Sequence, residues 1–187
     1  MICHLGYLSA GSPVVLPTTH TRLGETLYLH GSTGSGPMLA AQATPAGLPV
    51  CVTVTLIDGL VLARSALHHS LNYRSVVVTG SARLVRDRRE KLQALEALFD
   101  HVASGRAADS RTPNRRELAA TAVLALDLID VCAQVRAGGP VDDPRRRCAA
   151  VLGRRRTLKL AATTPVPAGD LDTAISLPPY LTPYRRP

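Results

Sequence analysis

From Cys3 to Val85 the chain is mostly a succession of short apolar runs, each long enough for a strand, separated by turns of small residues and glycine. Strands at that spacing can bury their apolar faces only against one another, which points to a closed or partly closed antiparallel barrel. Cys3 to Leu8 and Pro13 to Leu16 flank Ser9-Ala10-Gly11-Ser12, a hairpin turn. Thr26 to His30 alternates polar and apolar residues before the small-residue loop Gly31 to Gly36, and a short helix is expected over Pro37 to Ala43. Val50 to Thr55 has the β-branched content of a buried strand, Asp58-Gly59 reads as a turn, and Leu60 to Ser65 returns from it. Arg74 to Val85 is a further strand, in which Gly80 marks a bulge or close packing.

After Asp87 the period changes. Leu92, Leu95, Leu98, Phe99 and Val102 recur at three-and-four spacing, so Arg88 to Ser104 is predicted to be an amphipathic helix that stops at Gly105. A polar loop over Arg106 to Asn114 leads to a short helical segment, Arg115 to Ala120, and then to a long strand, Thr121 to Val135. Beyond Thr163 the chain reads as a loop-rich tail. No internal repeat is present, and 187 residues suit a single domain with its own core.

Composition narrows the function classes. Aromatic residues are 3% of the chain, too few for stacking platforms for sugars or single-stranded nucleic acid. No apolar run is long enough to span a bilayer, and Met1-Ile2-Cys3-His4 lacks the basic region of a signal peptide, so a cytoplasmic location is expected. The four cysteines, Cys3, Cys51, Cys132 and Cys148, form no CxxC pair and read as reduced thiols, not zinc ligands. The net charge of +8 raises nucleic acid as a partner, but six of the 22 basic residues are Arg145 to Arg147 and Arg154 to Arg156, and without them +2 remains. The basicity is local, so nucleic-acid binding is a minor reading.

Two polar clusters are candidates for chemistry. His68-His69-Ser70-Leu71-Asn72-Tyr73-Arg74-Ser75 sets many donors between apolar strands, where they must face water, each other or a ligand. Arg74 and Ser75 could grip a phosphate, the guanidinium as a charge-assisted fork. The bland alternative is a polar connection at a barrel mouth. The second cluster, Tyr28 to Ser35, offers backbone amides and hydroxyls to an anion, although no Gly-Lys-Ser/Thr follows as in a P-loop. His68 and His69, adjacent on a strand, would point to opposite faces and chelate no common metal. Ser70 lacks the nucleophile elbow of a hydrolase.

Val50 to Thr55, Asp58 to Ser65, His68-His69-Ser70 and Asn72-Tyr73-Arg74-Ser75-Val76 together resemble one branch of the pyridoxamine 5'-phosphate oxidase-like superfamily. This FMN-binding branch includes relatives of the nitroimidazole-resistance proteins. Cys3 to Tyr7 and Leu27 to Ser32 match its upstream strands, and Val135-Arg136 with Asp142-Asp143 its late segment. The resemblance implies a mainly-β (α+β) fold, the FMN-binding split β-barrel. That fold is a six-stranded antiparallel Greek-key barrel with flanking helices, a homodimer with FMN at the subunit interface. By carry-over, His30, Gly31, Ser32, Arg74 and Ser75 lie near the phosphate and ribityl chain. Pro17, Thr18, Thr19 and His20 approach the flavin ring, and Asn72 and Tyr73 support the site. The implied activity is an FMN-dependent oxidoreduction of a small molecule, with a non-catalytic flavin carrier as the alternative. Pyridoxamine 5'-phosphate itself is not the expected substrate, because Tyr184-Arg185-Arg186 is the only basic candidate for its C-terminal motif.

The chain departs from the family pattern twice. Its first strand lacks the helical segment that normally precedes it. Over Arg145 to Leu158 the family shows a Leu-Pro-x-Trp-Ala-Gly-Val-Val-Pro-like strand where this chain has an arginine cluster. One back-translation of that stretch, read one base later, spells Ala-Asp-Ala-Ala-Leu-Pro-Tyr-Trp-Ala-Gly-Val-Val-Pro, the pattern of a compensated double frameshift. With arginines in place of apolar surface, the segment is expected to be expelled as a loop.

Overall fold

The computed structural model describes residues 2–141, 153–166 and 176–181. Its strands are β1 (Ile2–Ser9), β2 (Ser12–Leu23), β3 (Thr26–Ser32), β4 (Leu48–Leu62), β5 (Ser70–Leu84), β6 (Thr121–Asp127), β7 (Asp130–Arg136) and β8 (Arg154–Thr157). The helices are α1 (Gly36–Ala43), α2 (Arg88–Val102) and α3 (Arg115–Ala120), with single 3-10 turns at Ala66–His68 and Pro179–Leu181. Strands run in the order β7-β5-β6-β3-β2-β1-β4-β8, and an additional β4–β5 pairing closes six of them into a ring. Every pairing is antiparallel. This is the split barrel that the family resemblance implies.

The split arises from strand length. β5 pairs with β6 only through Arg83 and Leu84, while Tyr73 to Thr79 pair with β7. β4 likewise pairs with β1 through Val50 to Thr53 and with β8 through Gly59 to Leu62. The β4–β5 hairpin therefore extends past the ring as an arm, with β7 on one edge and β8 on the other.

Local sequence explains the tightest connections. Ala10 (φ 48°) and Gly11 (φ 80°) are both left-handed, the two-residue turn that matches strand twist and joins Ser9 to Ser12. Asp87 caps α2 by accepting from the Glu90 N–H at 2.7 Å. Asn114 and Glu117 form a reciprocal capping box on α3, which occupies the segment expected to be helical.

Four sequence expectations are corrected. Asp58-Gly59 is not a turn but a bulge: Ile57 pairs with Tyr73 and Gly59 with Asn72, leaving Asp58 extra. A β-carbon on Gly59 would lie 2.7 Å from the Arg156 carbonyl oxygen, so glycine here lets β8 approach. The expected strand over Thr121 to Val135 is two strands, β6 and β7, separated at Leu128-Ile129. The chain bends there to pass from the ring to the arm. The polar run from Ser70 to Ser75 is strand, not a connection at the barrel mouth. His69 lies between the 3-10 turn and β5, and its Nδ1 accepts from the Ala63 N–H at 3.1 Å. Lastly, Arg154 to Thr157 are not expelled: they pair with β4 as an exposed edge strand. Backbone ladders are indifferent to side-chain charge, and an edge lets arginines reach water. Residues 142–152, which hold Arg145 to Arg147, Cys148 and the Asp142-Asp143 match, lie outside the described residues, as do Tyr184 to Arg186.

Two cores hold the fold. Cys3, Leu5, Leu29, Met38, Val52 and Leu124 belong to the first, and α1 contributes Met38 to it. The second, with Tyr28, Ala94, Leu95, Leu118 and Val123, joins α2 and α3 to β3 and β6. Glu90 ties its rim together, accepting from Tyr28 Oη at 2.9 Å and from both terminal nitrogens of Arg83 at 3.0 and 2.5 Å. The Arg83 guanidinium holds the Glu90 carboxyl below its ordinary 4.5, with the Tyr28 hydrogen bond acting in the same direction. A carboxylate depressed in the fold stabilises it above the unfolded value and loses that contribution as acid protonates it. The wild-type denaturation midpoint is therefore expected to fall more steeply below pH 4.5 than that of Glu90→Gln. Parallel acid limbs in urea titrations would refute this. Among the described residues no helix is long and apolar enough to cross a membrane.

Candidate functional site

The candidate residues fall into two groups. The first lies where β2, β3 and α2 meet. Pairing ends at His20–Leu29, and one residue beyond it Thr19 Oγ1 and His30 Nδ1 are 3.2 Å apart. The neighbouring His20 ring lies 5.3 Å from the ring of His101, in the last turn of α2, at an interplanar angle of 52°. His20 Nδ1 and His101 Nε2 are both buried and have no hydrogen-bond partner. Burial pushes His20 down to about 4, helped by the chain terminus and His101, and it lowers His30 and His101 as well. At neutral pH His20 is an uncharged imidazole.

His101 was missing from the sequence-derived set, because an isolated histidine on a helix signals nothing by itself. Its place on the helix was readable: it follows Leu98 by three residues and Ala97 by four, the spacing of one face. Ala97 is fixed there, since its carbonyl accepts from Thr21 Oγ1 at 3.2 Å.

Gly31 and Ser32 close β3. A β-carbon on Gly31 would meet Ser35 Oγ at 3.2 Å and Met38 Cε at 3.3 Å, so glycine lets the strand end pack under α1. Ser32 Oγ accepts from the Gly34 N–H at 3.3 Å, and Ser35 Oγ donates to the Ser32 carbonyl at 2.8 Å. The loop expected to cradle an anion thus uses two hydroxyls to fold itself.

The second group is on the arm. Asn72 is buried and clamps the segment after β7, donating to the Gly138 carbonyl at 3.0 Å and accepting its N–H at 3.1 Å. Tyr73 lies between Ile57 and Arg136. Arg74 forks onto Asp58, with Nε and Nη2 each 2.9 Å from a carboxylate oxygen. That hydrogen bond raises the guanidinium pKa further. Ser75 lies between Thr55 and Gln134, and as strand neighbours Arg74 and Ser75 leave the sheet from opposite faces.

Register relates the two groups. Pro17, His4, Thr53 and Val77 form one row across β2, β1, β4 and β5, three strand spacings or roughly 14 Å. Thr19 and Ser75 lie one step further along, Thr19 opposite Ile2 and Ser75 opposite Thr55. By the pleat they share one sheet face, while Thr18 pairs with buried Cys3 on the other. Within one chain the β2–β3 group and the arm group do not touch.

The described cysteines add no site. The Cys3 thiol is buried and pushed up to about 11, and Cys51 and Cys132 are exposed and unpaired. Among the described residues no group of three or more His, Cys, Asp or Glu could hold a metal ion.

A sequence model of the family described as pyridoxamine 5'-phosphate oxidase matches residues 1–135. No curated protein sequence matches the chain. Among solved structures, the FAD and heme binding protein from Mycobacterium smegmatis is 34% identical at a TM-score of 0.88, covering 96% of this chain and 87% of its own. The flavocytochrome Anf3 from Azotobacter vinelandii is 30% identical at a TM-score of 0.89, covering 98% of this chain and 84% of its own. A protein assigned to 5-nitroimidazole antibiotic resistance from Bacteroides thetaiotaomicron is 21% identical at a TM-score of 0.58, covering 71% of this chain and 75% of its own, and shares the fold.

Proposed function

The chain belongs to the pyridoxamine 5'-phosphate oxidase family, and from that membership we propose that it is a flavoprotein, an oxidoreductase that holds FMN between two copies of itself and acts on a small molecule. The observation that supports the flavoprotein part of this reading is the 34% identity, over nearly the whole chain, to a structure described as binding FAD and heme. The cofactor, when bound, supplies the hydride and electron chemistry, and the protein supplies position and electrostatics. Arg74 is the fork for a phosphate, and Asp58 keeps that guanidinium extended until an anion shares it. Thr19 and His20 present neutral polar groups to the ring, so they add no positive charge to stabilise an anionic reduced flavin.

A second copy accounts for two features. β7 is exposed along almost its whole length, with Val135 at 68% exposure, and Leu67 at the tip of the arm is 92% exposed. Apolar surface of this kind favours a partner. The β2–β3 group and the arm group, apart within one chain, would meet across a dimer. Nucleic acid is outside the reading, since the described arginines of β8 alternate to both faces of a short edge strand.

The spectrum of the purified protein tests the proposal. A flavin absorption spectrum, with FMN released on denaturation, is expected; release of FAD would change the cofactor and keep the flavoprotein. A protein that stays colourless after incubation with both flavins would overturn it. Reduction of the bound flavin by a nicotinamide donor separates an oxidoreductase from a carrier.

A second reading adds a heme, because the two structures named above at 30% identity or more are described as a flavocytochrome and as FAD and heme binding. Two buried imidazole nitrogens, His20 Nδ1 and His101 Nε2, lack hydrogen-bond partners, but the Thr21–Ala97 hydrogen bond holds β2 against α2 beside them, so a macrocycle does not fit between these two rings.

A further inference from the structure

We propose that Arg136 binds an oxyanion, a phosphate or carboxylate other than the phosphate assigned to Arg74, on the sheet face that carries Thr19 and Ser75. Whether that anion belongs to the cofactor or to the substrate rests on the flavoprotein reading above. β7 is exposed in every residue but its last, Arg136, and that side chain carries a charge it cannot lose. Its Nε is buried without a hydrogen-bond partner, and among the described residues Arg136 makes no ion pair. By contrast, Arg22, Arg74, Arg83, Arg106 and Arg111 each hold a carboxylate. A half-buried guanidinium with no counter-charge is costly, and a bound oxyanion would offset that cost.

Register gathers further donors around it. Arg136 pairs with Tyr73 and Gln134 with Ser75, so by the pleat all four side chains leave one face of the arm. The Tyr73 and Ser75 hydroxyls and the Gln134 amide make no hydrogen bond among the described residues, so they remain available to a ligand. Ser75 lies opposite Thr55, on the face that carries Thr19. Arg74 pairs with Val135 and leaves the other face, where it forks onto Asp58. The two guanidiniums therefore do not converge on one phosphate, and Arg136 requires an anion of its own. The Asn72 clamp on Gly138 fixes the chain two residues beyond Arg136, and a β-carbon on Gly138 would meet no atom within 4 Å. The arginine is thus anchored beside open space. A flavin with one phosphate leaves Arg136 to the substrate, whereas a flavin with two can occupy it.

The test titrates full-length wild type, Arg136→Ala, Arg136→Gln and Arg22→Ala with FMN and FAD by fluorescence. Inorganic phosphate is titrated by calorimetry before and after flavin loading. Circular dichroism checks folding, and Arg136→Gln serves if Arg136→Ala does not fold. Removing the guanidinium is expected to weaken binding of one oxyanion roughly tenfold, the loss of a charge-assisted contact. Arg22→Ala, whose arginine already holds Glu25, should match wild type. A loss confined to FAD assigns the anion to the cofactor's second phosphate. A loss confined to phosphate added to the flavin-loaded protein assigns it to the substrate. Equal losses for FMN and FAD would place Arg136 on the phosphate the two share and overturn a separate anion. Unchanged binding of all three overturns the assignment outright. If wild type takes up neither flavin, the flavoprotein reading falls, and phosphate binding to the flavin-free protein still decides Arg136: dependence on the arginine supports the assignment, and no dependence refutes it.

Discussion

Leu124→Ala is expected to lower the unfolding free energy by about 2–5 kcal/mol, the range for emptying a well-packed leucine site. Leu124 is fully buried in the middle of β6, opposite Leu29 of β3 and Leu84 of β5. β6 is the strand through which the ring passes from β3 to β5, and only Arg83 and Leu84 make the β5 side of that junction. A cavity there cannot collapse easily, because β-ladders on both sides fix the backbone. The loss should therefore fall in the upper part of the range, seen as a lower denaturant midpoint with an unchanged slope. A loss below about 1 kcal/mol would mean that the junction can repack, contrary to the closed ring described above. The same substitution should weaken flavin binding only through the folded fraction, since Leu124 is in the inner core.

The elements that could be read from the sequence are those whose causes are local. The Ala10-Gly11 turn is set by residues that tolerate left-handed backbone. α2 follows from the spacing of Leu92, Leu95, Leu98 and Phe99, and α3 from the Asn114–Glu117 box. What failed was decided at long range. Asp-Gly suits a turn or a bulge equally well, and the choice at Asp58-Gly59 is made by the pairing of β4 with β5. The apolar run from Thr121 to Val135 carries no mark at Leu128-Ile129, because the break depends on β5 being long enough to serve both β6 and β7. β8 was misread for a different reason: its arginines suggest a loop, while its backbone finds an open sheet edge.

The site divides in the same way. Thr19, His20 and His30 were named through the family motifs, and the structure brings Thr19 to His30 and His20 to a new partner, His101. Asn72 also was named, but its work is to clamp Gly138, a contact between residues 66 positions apart that no local pattern announces. Asp58 was read only as a turn residue. Its bulge turns it toward Arg74, so the backbone irregularity that defeated the turn assignment is what creates the fork.

That fork gives the second large effect. Arg74→Ala is expected to weaken flavin binding about ten- to hundredfold, the loss that goes with removing a charge-assisted bidentate contact to a phosphate. Arg74 and Asp58 are both substantially exposed, so their mutual ion pair adds little to folding, and the thermal midpoint of the flavin-free protein should stay close to wild type. The two readouts separate binding from structure. Arg74→Lys keeps the charge and loses the planar fork, so it should recover only part of the affinity. The fluorescence of free flavin, titrated with each variant, measures the loss directly. Equal affinity in wild type and Arg74→Ala would remove Arg74 from the site and leave the Asp58 pair as a tie between β4 and β5. An equal loss in Arg74→Lys and Arg74→Ala would show that geometry, not charge, is what the phosphate needs, and the bulge at Asp58 would then be the feature on which binding depends.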